Sequence, residues 1–277
     1  MSIRDALQWG HEQLLLSSGS ARLDAELLLS HVLKKPVTFL LAHDDTSIGF
    51  FTLWRYRKLI FQRKGGVPVA YLTGHKEFYF LDFEVNCHVL VPRPDTEVLA
   101  GAVIEYVRNL KHPILLDVGT GSACIAVSVL KNVPGLRAFA TDISRGALRV
   151  GRRNAKKHGV SGRVEFFRSD LLSAVPVERL RRHEVVVAAN LPYIPTQFQV
   201  NPETKFEPPV SLYGGEDGLD IYKRLMEQFS DVRPRAIFLE CFEFQLAILR
   251  GYIKDYELKS TQRMTGQARM VFLERKV

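Results

Sequence analysis

Over residues 1–75 apolar positions recur at helical spacing. Ile3, Leu7 and Leu14 share one face, and Leu23, Leu27, Leu28, Val32 and Leu33 share a second, set against Arg22, Asp24 and Glu26. Gly19 separates these two helices, Pro36 starts a third through Leu41, and Leu53 to Gln62 carries a fourth that ends at Arg63, Lys64 and Gly65-Gly66. The pattern predicts a small helical domain over 1–75.

From Glu77 to Val91 the texture turns to aromatic and β-branched residues, interrupted near Asn86, which predicts a β-hairpin linker over 76–92. Pro94 then offers a helix start, with the helix continuing to about Arg108. Beyond it, apolar runs at 114–118, 136–141, 164–168, 185–189 and 236–240 alternate with helical patterns at 122–131, 144–158 and 218–229, and 268–274 reads as a closing strand. Continuous runs such as Val185-Val186-Val187-Ala188-Ala189 suit strands covered on both faces, so 93–277 is expected to be an α/β domain with a mostly parallel sheet.

Composition narrows the class. The 277 residues are 46% hydrophobic and 25% charged, near the globular average, which excludes disordered and collagen-like chains. No apolar run reaches the 18 or so residues of a membrane span, and the first residues lack a basic-then-hydrophobic leader, so the expected location is the cytoplasm, with no membrane partner. Cys87, Cys124 and Cys241 are far apart and never in a CxxC pair. They are expected to be reduced core residues, and no metal site is expected. A net charge of +8 favours an acidic protein or nucleic acid as partner without choosing between them.

The chemistry starts where Ile114–Val118 runs into Gly119-Thr120-Gly121-Ser122-Ala123 and then an apolar helix. A Gly-rich turn at the carboxyl end of a parallel strand lets a ligand approach the backbone, and its N–H groups can receive a ligand carboxylate or hydroxyl. Two glycines in such a turn also arise for steric reasons alone. Asp142 closes the next strand about 20 residues on, where an acid can accept both ribose hydroxyls; as an alternative it caps the helix that begins near Ser144. Asp170 follows the third strand and can accept from an adenine amino group, with Leu171 against the base, or it is an ordinary turn aspartate.

Asn190-Leu191-Pro192-Tyr193 follows the fourth strand. A planar NH₂ group is a poor nucleophile because its lone pair is delocalised, so a catalyst must hold both N–H bonds and aim the nitrogen. Asn190 Oδ1 and the Leu191 main-chain carbonyl offer the two acceptors, Pro192 stiffens the turn, and Tyr193 offers a flat face for the substrate plane. In isolation the tetrapeptide is also a plain strand exit. Beside a nucleoside site it points to methyl transfer from S-adenosylmethionine to a planar nitrogen.

Together these segments resemble class I S-adenosylmethionine-dependent methyltransferases, and more narrowly the PrmC/HemK family of peptide-chain release factor glutamine methyltransferases. The resemblance runs through Pro68-Val-Ala-Tyr71-Leu72-Thr-Gly74, Val91-Pro92-Arg93-Pro94-Asp95-Thr96-Glu97, Asp117-Val-Gly119-Thr-Gly121-Ser, the Asn190 turn, Phe206-Glu207-Pro208 and Gly214-Gly215-Glu-Asp217-Gly218-Leu219. It implies a Rossmann-like, mostly parallel seven-stranded sheet with a small N-terminal helical domain joined by a β-hairpin. Gly119 to Ala123 would cradle the methionine part of the cofactor, Asp142 would hold the ribose, Asp170-Leu171 would face adenine, and Asn190 would bridge cofactor and substrate. Arg93 and Thr96 would lie near the cofactor. The implied acceptor is the glutamine of the Gly-Gly-Gln loop of release factors, docked by the helical domain, with S-adenosylhomocysteine as product, no nucleic acid required, and a monomeric enzyme. The chain departs from the family at Leu191, usually Pro, at Ala123, usually Gly, and at Glu240-Cys241-Phe242, usually Glu-Ile-Gly.

The rival reading is an adenine N6-methyltransferase acting on RNA or DNA, because adenine presents a planar NH₂ and Arg145, Arg149, Arg152, Arg153, Lys156 and Lys157 form a basic helix stripe. That stripe also reads as a solvated face, and the N-terminal blocks favour a protein substrate. A catalytically silent binding module is disfavoured by the presence of Asn190 and Tyr193.

Overall fold

The computed structural model describes residues 1–264 and 268–276. The chain divides into two compact units, Met1–His75 with Val200–Phe206, and Lys76–Gln199 with Glu207–Val277.

The first unit holds α1 (Ile3–Leu14), α2 (Ala21–Leu33), α3 (Val37–Ala42), α4 (Phe50–Lys64) and α5 (Val69–Thr73). A reciprocal cap starts α1: Ser2 Oγ accepts from the Asp5 N–H while Asp5 Oδ2 accepts from the Ser2 N–H. Leu14, Leu28, Leu29, Leu40, Tyr56 and Ile60 fill the core. Gly10 is required where α1 meets α4, because a Cβ there would lie 2.0 Å from the Tyr56 hydroxyl. The expected apolar face of α2 is corrected in three places. Leu23 and Leu27 are exposed, whereas Asp24, read as polar surface, is buried. Asp24 is tolerated inside because Arg63 donates to it at 2.6 Å and Ser18 and Ser20 donate at 2.6 and 2.9 Å.

A short hairpin follows, β1 (His75–Phe78) and β2 (Leu81–Glu84), all of it but His75 in the second unit, and its tight turn puts Tyr79 and Phe80 at positive φ. The ladder is shorter than the sequence pattern suggests, and Val85, Val89 and Val91 are buried from an irregular segment. Cys87 in that segment is exposed, a correction to its expected core position, while Cys124 and Cys241 are buried. The next helix, α6, spans Thr96–Val107, two residues later than Pro94.

The sheet follows: β3 (Pro113–Val118), β4 (Arg137–Asp142), β5 (Val164–Arg168), β6 (Glu184–Ala189), β7 (Ala236–Phe242), β8 (Tyr256–Arg263) and β9 (Ala268–Arg275), in spatial order β5-β4-β3-β6-β7-β9-β8. Pairs from β5 through β7 are parallel, and β9 and β8 add antiparallel. This bears out the expected mostly parallel seven-stranded α/β sheet. The edge strand β8 is not foreseen from the sequence, because Tyr-Glu-Leu-Lys-Ser-Thr-Gln-Arg buries only its tyrosine. Helices α7 (Cys124–Asn132) and α8 (Arg145–Lys157) pack with α6 on one face; α9 (Asp220–Glu227), α10 (Phe229–Val232) and α11 (Leu246–Arg250) lie on the other. Strand order reverses at β3, between β4 and β6, so a crevice opens at the carboxyl ends of β3 and β6. Among the described residues no helix is long and apolar enough to cross a membrane.

The Asp24–Arg63 pair yields a stability prediction. Arg63→Leu should cost the helical unit about 3–5 kcal/mol by stranding a buried carboxylate, and Asp24→Asn added to it should recover part of that loss. Tryptophan fluorescence during denaturant unfolding reports on this unit, because Trp9 and Trp54, the chain's 2 tryptophans, both lie in it. A loss below about 1 kcal/mol would contradict the account.

Candidate active site

At the end of β3 the chain turns into α7 through a segment that visits the left-handed region three times, with Gly119 at φ 70°, Gly121 at 54° and Ala123 at 62°. Gly119 also leaves room for Leu191, since a Cβ there would meet Leu191 Cδ2 at 2.7 Å. Asp117 underpins the turn, since its Oδ2 accepts from the Thr120 hydroxyl at 2.6 Å and the Ala126 N–H at 3.2 Å. Burial pushes its pKa up to about 6 against the pull of those bonds. Asn154, fully buried on α8, donates to the carbonyls of Ser122 and Glu84 and accepts from the Glu84 N–H, tying the turn to β2.

Asp142 is not the cap of α8 that the sequence offered as an alternative; it braces the turn before that helix. Its Oδ1 accepts from the Ser144 N–H at 2.8 Å and its Oδ2 from the Gly121 N–H at 2.9 Å, while Ser144 itself caps α8. Each carboxylate oxygen retains a second lone pair directed by this fixed geometry. The Thr120, Gly121 and Ala123 N–H groups are all engaged within the protein, so fewer turn donors face the cleft than the sequence suggests. Asp170 is exposed and ion-paired with Arg224, while Leu171, at φ 54°, is buried.

The Asn190 turn is the most constrained part of the site. Asn190 Nδ2 donates to Thr96 Oγ1 at 2.9 Å, and Thr96 donates to Glu240 Oε2 at 2.9 Å. The Tyr193 hydroxyl donates to the other oxygen, Oε1, at 2.7 Å. Glu240 is 3% exposed, and burial lifts its pKa to about 6 although Tyr193 and Thr96 both favour its charged form. Burial beside Glu240 also raises the Tyr193 pKa, so this phenol is a donor and not a base. The chain of donors fixes the Asn190 carboxamide with Nδ2 inward and Oδ1 outward. Among the described residues nothing donates to Asn190 Oδ1 or to the Leu191 main-chain oxygen.

Leu191 resolves the departure from the usual proline. Its N–H, which proline lacks, donates to the Tyr222 hydroxyl at 3.2 Å, and Tyr222 donates to the Glu240 carbonyl at 2.6 Å. The turn's far side is held by Gln245, whose Nε2 donates to the Tyr193 and Asp217 carbonyls. Gly218 allows the close approach there, because a Cβ would lie 2.2 Å from the Tyr193 carbonyl oxygen.

One cleft, open to solvent, takes in Gly119, Thr120, Gly121, Ser122, Asp142, Asp170, Leu171, Asn190, Leu191 and Pro192. Ala123 and Tyr193 stand behind it, one buried under the turn and the other facing Glu240 and the Phe242 ring. His88, Arg93 and Thr96 also line it. Arg93 is held by Glu207 Oε1 at 2.7 Å. Sequence reasoning missed the roles of Glu240, Tyr222 and Gln245, whose only signal was a polar residue ending or following an apolar strand or helix. The basic stripe on α8 is partly neutralised, with Arg153 paired to Glu84 and Lys157 to Asp82.

The buried Asp117 gives a pH prediction. Its folded pKa lies above the ordinary carboxylate value, so its contribution to stability is fully present below about pH 4 and is lost as pH rises through about 6. Asp117→Asn removes that titration. The stability of the variant relative to the parent should therefore climb by up to about 3 kcal/mol between pH 4 and 7. Denaturant titrations at stepped pH measure it, and a pH-independent difference would contradict the assignment.

Known proteins share this outline. Residues 5–74 match the PrmC N-terminal domain and residues 98–192 match the methyltransferase small domain. The release factor glutamine methyltransferase of Moorella thermoacetica is 39% identical over 231 residues, spanning 82% of this chain and 80% of that protein. The protein of the same description from Bacillus anthracis is 32% identical over 287 residues, spanning 99% of each. Among solved structures, the hMettl16 catalytic domain in complex with a 3′UTR hairpin aligns with a TM-score of 0.55 at 14% identity, over 75% of this chain and 80% of that one. Human methyltransferase 10 domain containing protein aligns at 0.51 and 16%, over 71% and 90%. These two likenesses concern the fold, that of class I Rossmann-like methyltransferases. Sequence identity at this level over nearly complete chains goes further, and the chain belongs to the release factor glutamine methyltransferase family.

Proposed function

We propose that the protein transfers a methyl group from S-adenosylmethionine to the side-chain amide nitrogen of the glutamine in the Gly-Gly-Gln loop of peptide-chain release factors, leaving S-adenosylhomocysteine. The observation that carries this reading is the pair of acceptors at the mouth of β6, Asn190 Oδ1 and the Leu191 main-chain oxygen. Both are without protein donors among the described residues, and Asn190 is locked by Thr96 and Glu240. The relatives named for this activity support the substrate class.

The cleft suits the cofactor. The Gly119–Ser122 backbone leaves room that side chains would fill, Asp142 is pinned with spare lone pairs toward a diol, and Leu171 offers an apolar surface for a base. When bound, the cofactor supplies an activated methyl group. The residues of the chain do the remainder. Two acceptors hold the two N–H bonds of the primary amide, fix its plane and aim its nitrogen. As nitrogen gains bond order to carbon, its N–H groups become more acidic and bind both oxygens more strongly, so the transition state gains more than the ground state. The nitrogen loses one proton as the methyl arrives, and that proton passes to water in the open cleft; Tyr193 and Glu240 act through Asn190 and Thr96 and do not take it.

The helical unit is proposed to dock the release factor. Phe50, Phe51 and Trp54 on α4 are 77%, 79% and 57% exposed, an apolar patch of the kind that marks a protein contact.

Asn190→Ala should lower kcat by at least about 100-fold, with folding and most cofactor affinity retained. Incubation with labelled S-adenosylmethionine and either a release factor or ribosomal RNA, followed by mass spectrometry, should place the label on the Gly-Gly-Gln glutamine; label on adenine would overturn the reading. Thr96→Val should lower kcat about tenfold or more with little change in KM for the cofactor, and Thr96→Ser should restore it. The acid limb of kcat should fall near pH 6 as Glu240 protonates and should flatten in Glu240→Gln. Asp142→Ala should weaken cofactor binding by about 1–3 kcal/mol in calorimetry. Phe51→Ala/Trp54→Ala should impair methylation of an intact release factor more than that of a short Gly-Gly-Gln peptide; equal effects on both would count against docking.

A further inference from the structure

The edge of the sheet opposite the cleft carries a second regularity. Six strands adjacent in space, β5, β4, β3, β6, β7 and β9, each place a basic residue at that same end: Arg163, Arg137, His112, His183, Arg235 and Arg275. The parallel strands begin there, and β9, running the other way, finishes there, with Ala236 opposite Glu274. Strands lie about 4.8 Å apart, so the row extends roughly 24 Å. The loop into β6 adds Arg181 and Arg182, both exposed. Three adjoining concavities share His183 and open along this row, two of them also sharing Arg181 and two sharing Arg137.

Of the acids on this edge, Glu165 is held by Arg179, Glu184 by Arg235, Glu257 by Lys259, and Glu274 accepts from the Tyr106 hydroxyl, which leaves Glu178, Asp231 and Asp255. Among the described residues no carboxylate forms an ion pair with Arg137, Arg163, Arg181, Arg182 or Arg275. The large exposed apolar side chains of the described residues all lie elsewhere. A protein partner would need an apolar centre to its interface, whereas guanidinium forks on a polar, concave row match the oxygens of successive phosphates. The row follows a line of adjoining hollows, and a flexible single strand can lay its phosphates along such a positively charged line.

We propose that this edge is a docking face for the phosphate backbone of single-stranded RNA. It lies at the opposite ends of the strands from the cleft, so RNA held there leaves the methyl-transfer site open and is not needed for the reaction. The interaction would place the enzyme near an RNA-rich assembly while the cleft works on protein.

Fluorescence anisotropy of a labelled mixed-sequence 20-nucleotide RNA with the full-length protein tests this. Binding should weaken steeply with salt. Arg137→Gln/Arg181→Gln/Arg182→Gln should weaken it at least tenfold at low salt and flatten the plot of log affinity against log salt by about 2 units, at about 0.7 for each phosphate no longer neutralised. Calorimetry of S-adenosylmethionine binding should be unchanged in this variant, which confirms that it is folded. Arg149→Gln/Arg153→Gln on α8 should bind RNA as the parent does. Absence of binding at low salt, equal binding by the triple variant, or a loss confined to the α8 variant would each overturn the proposal. So would displacement of the RNA by polyglutamate of equal charge as readily as by unlabelled RNA, since that would assign the face to an acidic protein.

Discussion

The site rests on one buried carboxylate. Glu240 sits near the end of β7 with both oxygens occupied, one by Thr96 from the start of α6 and one by Tyr193 from the turn after β6. A charged group this deeply buried is stable only while it is fully hydrogen-bonded, so the three elements that meet at it share one geometry. The consequence is transmitted outward through the Thr96 hydroxyl. With its proton committed to Glu240, Thr96 can only accept from Asn190, and the carboxamide is forced to show its oxygen to the cleft. An amide whose two ends are nearly isosteric is thereby oriented by a residue that never reaches the cleft itself.

The same logic explains why the family's proline is dispensable at position 191. A proline stiffens this turn by restricting φ; leucine restores the constraint with a hydrogen bond to Tyr222, which is itself tied to the Glu240 carbonyl. The leucine side chain also packs over Gly119, so the two halves of the cleft floor, the turn after β3 and the turn after β6, are in direct contact. Substitutions that look local in sequence therefore act on a shared scaffold.

Much of the architecture was legible from the apolar runs. Strands β3, β6 and β7 appear where nearly continuous apolar segments stand, because strands covered on both faces leave little place for polar residues. The pattern failed where solvent relieves that demand, as in the polar edge strand β8, and where a charge is buried with a remote partner. Asp24 finds Arg63 39 residues away, and Thr96 finds Glu240 144 residues away, distances at which no periodicity carries information. Gly119, Asp142 and Asn190 were readable because each stands at a strand end, where chain topology fixes position. Glu240 stands inside β7, two residues before its end, and its function depends on what it meets, which only the fold supplies.

The most direct test of the account is the structure of the protein with S-adenosylhomocysteine and a Gly-Gly-Gln peptide. The account predicts the glutamine amide nitrogen at hydrogen-bond distance, about 3 Å, from both Asn190 Oδ1 and the Leu191 main-chain oxygen, with Asn190 Nδ2 still on Thr96. A glutamine bound elsewhere, or an Asn190 carboxamide turned so that its nitrogen faces the substrate, would contradict it.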